Sequence, residues 1–184
     1  LADVSGAGGG NTNIVGKNIQ LLAGSAIVSN TSGNLDGGVI QVKASDLLQI
    51  DGSDTTNTEV DALAASFTEI FLPAASRIFS NTVGAGNGSD ISIVANDLQI
   101  SNGGAIELQT FSATAGNSGN LAINVNESIE LSGNRPLLGF SENAINLIAP
   151  GIELDTAIDL NQSSKMTIIS FGSGRAGNVD VVAA

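Results

Sequence analysis

The 184-residue chain contains no cysteine, histidine, tryptophan or tyrosine, and only 3% of its residues are aromatic. Without cysteine there is no disulfide framework and no thiolate metal site, and without histidine the commonest metal ligand and general base is missing. Most familiar active-site constellations are thereby excluded. With so few rings, a core must be built from Ile, Leu, Val and Ala, which suits small stacked layers better than a bulky globular centre. Basic residues are scarce too: 6 Lys and Arg stand against 18 Asp and Glu, a formal charge of -12. Such a surface repels phosphate backbones and anionic bilayers, so nucleic acid and membrane are not expected partners. No apolar run reaches the roughly 18 residues of a membrane span. The start at Leu1 has neither a basic nor an apolar leader segment, so any export signal is expected outside this sequence.

What is abundant is glycine, 23 residues, much of it beside Asn and arranged in a repeat. The stretch 88–117 holds three short alternating apolar runs: Ile91, Ile93 and Ala95; Leu98 and Ile100; Ile106 and Leu108. The order recurs upstream in Ile14, Ile19 and Leu21 followed by Ala26-Ile27, and downstream from Leu121 and Ile123 through Ile129 and Leu131. Another copy begins at Val42, Ala44, Leu47 and Ile50, resumes at Ile78, and a last one opens at Val179 and Val181. Uninterrupted copies repeat at about 28 to 31 residues, a period typical of solenoids. Alternation over four to six positions predicts strands with one buried face, and no helical spacing separates them within a copy. The expected architecture is therefore an all-β parallel β-helix over residues 1–184, about three short strands per coil, with successive coils about 4.8 Å apart. Gly86, Gly88, Gly103, Gly104, Gly116 and Gly119 are expected at corners needing positive φ. Asn87, Asn117, Asn120 and Asn178 are expected to tolerate the left-handed region and to stack in hydrogen-bonded ladders.

Two insertions interrupt the pattern, at about 53–73 and 135–156. In the first, Val60, Leu63, Ala64, Phe67 and Phe71 fit one face of a short helix with Thr58 and Asp61 as a cap, and Phe79 follows; a lid on the flank of the rod is expected. The second carries Pro136, Pro150 and the strand-like 144–148.

The phrases Gly86-Asn87-Gly88-Ser89-Asp90-Ile91, Thr114-Ala115-Gly116-Asn117-Ser118-Gly119-Asn120-Leu121 and Gly174-Arg175-Ala176-Gly177-Asn178-Val179 resemble repeats of filamentous haemagglutinin-like exoproteins, most closely the large cyanobacterial members. Asp46-Leu47-Leu48-Gln49-Ile50 and Glu127-Ser128-Ile129-Glu130-Leu131 fit the same pattern. The resemblance implies a right-handed parallel β-helix, export through an outer-membrane partner by two-partner secretion, and adhesion or surface architecture. It supplies no catalytic, cofactor or metal residues. The Asn-rich secretion-recognition signature of that family is not evident, so the match is to its shaft.

Three groups of polar residues are candidates for chemistry. Asp46, Asp97 and Glu127 occupy comparable positions in successive copies and are expected to form an acidic column, whose rival readings are a solubilising face and a polysaccharide-cleaving or glycan-binding site. Asp51, Asp54 and Glu59 lack EF-hand or RTX spacing and read as a polar loop. Thr82, Thr110 and Thr114 are too scattered for an ice-binding ladder. The expected function is a secreted, non-enzymatic, structural or adhesive rod at a bacterial surface, needing no cofactor or metal. Both ends resemble strand or corner interiors without polar caps. Continuation in a longer chain or end-to-end stacking is the expected partnership, with a glycan or cell-surface receptor as a further one.

Overall fold

The computed structural model describes residues 1–53, 75–110, 116–135, 162–170 and 174–183. Among them are strands β1 (Ala2–Asp3), β2 (Thr12–Gly16), β3 (Ile19–Leu21), β4 (Ala26–Val28), β5 (Val39–Asp51), β6 (Arg77–Thr82) and β7 (Asp90–Ser101). There follow β8 (Ala105–Thr110), β9 (Leu121–Ser132), β10 (Asn134–Arg135), β11 (Gln162–Ser163), β12 (Lys165–Ser170) and β13 (Val179–Ala183). No helix occurs among the described residues. Both insertions fall mainly outside them, including the helix expected around Val60 to Phe71 with its Thr58 and Asp61 cap.

The strands form two parallel sheets. A five-stranded sheet has the order β1-β4-β6-β8-β12; a six-stranded sheet has the order β13-β9-β7-β5-β2, with β3 also on β5. The short β10 and β11 pair antiparallel outside both. From β4 to β9 the chain alternates between the two sheets, so each strand pairs with its counterpart one repeat away. Ile27, Ile78, Ile106 and Met166 occupy one rung position in the first sheet, and Ile40, Ile91 and Leu121 one in the second. Parallel strands buried against each other need near-continuous aliphatic faces, and the Ile, Leu and Val alternation supplies them. The two inward faces share one core, in which Ile40, Leu48, Ile50, Ile78 and Ile106 are fully buried.

Each full repeat holds two strands rather than the three apolar runs of the sequence. The first two runs fuse: Ile91, Ile93 and Ala95 lie in β7 together with Leu98 and Ile100. An irregularity separates them, because Ala95 faces Ala44 while Asp97 faces Leu47, leaving Ser45 and Asp46 opposite Asn96 alone. A bulge of this kind bends a strand without ending it. Only in the first repeat are the two halves distinct strands, β2 and β3.

The corner glycines serve a purpose different from the expected one. Of those singled out, only Gly103 has positive φ, following Asn102, itself at φ 51°. At Gly86, Gly116 and Gly119 the requirement is close approach: an added Cβ would strike the carbonyls of Leu35, Gly86 and Ser89 in the preceding repeat. Glycine here lets backbones stack at the corner. Gly119→Ala is expected to cost about 1–3 kcal/mol through overpacking, read as a lowered urea midpoint with an unchanged m-value.

The asparagines do form ladders. Asp36 Oδ1 accepts from Asn87 N at 2.8 Å, Asn87 Oδ1 from Asn117 N at 3.0 Å, and Asn117 Oδ1 from Arg175 N at 2.9 Å. A second ladder runs from Asp90 to Asn120 and on to Asn178. None of these residues has positive φ, so the side-chain acceptor, not left-handed tolerance, accounts for Asn at these positions.

Candidate functional site

The bend in the six-stranded sheet shapes the outer surface. Between the two halves of a rung lie two residues in the first repeat (Lys17, Asn18), three in β5, two in β7 and three in β9. A groove of about 480 Å³ lies across this bend on the outer face. Asn18 and Gln20 border it from the first repeat, Asp46 and Leu47 from β5, Asp97 and Gln99 from β7, and Ser128 and Glu130 from β9, with Leu98 beneath.

The expected acidic column does not form as Asp46, Asp97 and Glu127. Asp97 faces Leu47 on one side and Ser128 on the other, so the three carboxylates do not share a rung position. The odd residue at each bend shifts them. Asp46 and Asp97 still border the same groove, whereas Glu127 is exposed outside it and Glu130 contributes instead. Each acid also has a partner that relieves repulsion: Ser128 Oγ donates to Asp97, Lys17 Nζ lies 3.9 Å from Asp46, and Gln99 Nε2 donates to Glu130 at 3.4 Å.

A row of Gln and Glu side chains runs past the groove, and the sequence reading missed it. Gln20, Gln49, Gln99 and Glu130 share one outward rung position, and Gln20 Nε2 donates to Gln49 Oε1 at 2.8 Å. Its signal was available in Ile19-Gln20-Leu21, Leu48-Gln49-Ile50, Leu98-Gln99-Ile100 and Ile129-Glu130-Leu131.

The five-stranded sheet carries a second polar feature. On its outer side Glu107 stands between two cations, with Lys165 Nζ at 2.8 Å and Arg77 at 3.6 Å. The Glu107 and Arg77 side chains are 8% and 9% exposed, and that of Lys165 is 44% exposed. Arg77 also stacks over Phe79, 5.4 Å from the ring centroid, a cation–π contact. Thr82 and Thr110 are neighbours in one ladder with Thr31 and Ser170, contrary to the scatter read from sequence, but all three threonines are buried and offer no ice-facing surface. Thr114 lies outside the described residues.

Of the acids in the polar loop, Asp54 and Glu59 lie outside the described residues. Asp51 Oδ1 accepts from Ser53 N at 2.8 Å and from Asn102 Nδ2 at 3.1 Å. Burial acts to raise its pKa, but the bonds from Ser53 and Asn102 outweigh it and hold the carboxyl below the ordinary value. A folded-state pKa below the unfolded one stabilises fully above the unfolded value and is lost as pH falls through the folded one. Asp51→Asn is therefore expected to narrow the gap between the melting temperatures at pH 7 and pH 2.5; an unchanged gap refutes this.

Among the described residues, no group of three or more Asp, Glu, His or Cys is placed to hold a metal ion, and no helix is long and apolar enough to cross a membrane. Comparison with protein-family models, curated proteins and solved structures finds no match.

Proposed function

We propose that the chain is a length of right-handed parallel β-helix acting as a non-enzymatic structural or adhesive rod, exported to a bacterial surface in the manner of filamentous haemagglutinin-like exoproteins. The observation that carries this reading is the parallel pairing of successive repeats in both sheets, in register on either side of the bend and tied by Asn and Gln side-chain hydrogen bonds. Backbone hydrogen bonds directed from repeat to repeat make a structure stiff along one axis and modular in length.

Electron microscopy of the full-length natural protein is expected to show elongated rods or filaments; only short, dispersed particles would sink the reading. The competing hydrolytic or lyase reading is tested by reducing-sugar release from a panel of polysaccharides. No turnover is expected. Turnover abolished by Asp97→Asn would replace the rod with a carbohydrate-cleaving enzyme.

A further inference from the structure

We infer that the groove across the bend of the six-stranded sheet binds a linear glycan without acidic groups, laid across the rungs. The inference rests on the groove and its register, not on surface export.

Three features select this ligand. First, the groove borders draw on four repeats, and three members of one outward rung position, Gln20, Gln99 and Glu130, reach it. Rungs lie about 4.8 Å apart, so the groove offers a polar contact from each of four successive repeats at short intervals. That suits a polymer of identical units better than a compact metabolite. Second, the polar groups are mainly acceptors. Asp46, Asp97 and Glu130 bring carboxylates, and Gln20 and Gln99 bring amide oxygens, with one Nε2 hydrogen of each already given to Gln49 and Glu130. Acceptors of this kind are satisfied by ligand hydroxyls, each charge-assisted bond being stronger than a neutral one. Third, the same carboxylates and the -12 formal charge repel polyanions, which removes uronic-acid polymers and nucleic acids.

The chain has no Trp or Tyr, and the groove has an apolar floor of Leu47 and Leu98 only, so stacking contributes little. Affinity accrues rung by rung, which makes chain length its signature: a hexasaccharide binds more tightly than the matching disaccharide.

The test is isothermal titration of the whole chain with cellohexaose, cellobiose, hexa-N-acetylchitohexaose, hexagalacturonate and hexalysine. One or both neutral hexasaccharides are expected to bind, cellobiose more weakly than cellohexaose, and hexagalacturonate not at all. Gln99→Ala combined with Glu130→Ala is expected to weaken binding about tenfold or more, from the loss of a neutral and a charge-assisted bond. Both residues lie on the outer face, so an unchanged far-UV spectrum separates lost contact from lost fold. Lys43→Ala, elsewhere on the same sheet, leaves binding unchanged. Silence with both neutral hexamers, equal binding of hexagalacturonate, binding of hexalysine alone, or indifference to the double substitution overturns the proposal. Each of those results leaves the rod reading standing, and glycan binding by short dispersed particles would leave the groove standing without the rod.

Discussion

Leu48→Ala is expected to lower the stability of the chain by about 2–5 kcal/mol, the range for a fully buried leucine that leaves a cavity behind. Leu48 lies inward on β5 between Ile19 and Leu98 of the neighbouring rungs and is fully buried. Rungs hold their places through hydrogen bonds to both sides, so the surrounding chains cannot collapse far into the gap, which favours the upper half of that range. For a chain of this size the melting temperature falls on the order of 10 °C. The informative control is Leu131→Ala. Leu131 occupies the rung position next to Ile100 in β9 but is 43% exposed, because β13 covers only the first half of β9. Its truncation is expected to cost about 1 kcal/mol, since the apolar area returned to water is much smaller. Equal losses at the two sites would contradict the burial gradient from the central repeats to the edge.

The second large effect is at Glu107. Glu107→Ala is expected to cost about 1–3 kcal/mol, because the buried carboxylate's charge-assisted contacts to Lys165 and Arg77 are both lost. Lys165→Ala is expected to cost about 1 kcal/mol, since its head is partly solvated and its bond to Glu107 resembles a surface pair. Urea unfolding of the two variants and of the double variant checks the order. The pair is expected to be non-additive, because removing Glu107 first leaves Lys165 no carboxylate to lose.

The parts of this protein that could be seen in its sequence are those that repeat. The alternating Ile, Leu and Val positions located the strands, and the Asn87, Asn117 and Asn120 series foretold ladders. What repeated imperfectly was misread. The split between Ala95 and Leu98 looked like a strand end because the inward face changes there from odd to even numbers, whereas β7 bends and continues. Asp46, Asp97 and Glu127 looked equivalent because their distance to the next Leu or Ile is similar, but an odd residue in alternate repeats moves them off a common rung. The Glu107 cluster was invisible for the opposite reason. Arg77 follows one insertion, Lys165 follows the other, and Glu107 has no counterpart in the remaining repeats, so no periodicity marks them. Positive φ accounts for Gly103 as expected, but not for Gly86, Gly116 and Gly119, since crowding by a preceding repeat is a long-range fact that no local pattern contains.

The bend that alternates between two and three residues also says where this chain tolerates evolutionary drift. A one-residue change inside a strand inverts which side chains face the core. At the joint the same change is absorbed, as β7 and β9 already show by reaching Leu98 and Ile129 across gaps of different length. Loss of Ser45 or gain beside Asn96 would re-aim a few groove side chains and leave Leu48 and Leu98 inside. Length variation is thus channelled to the outer groove, and kept out of the scaffold that holds it.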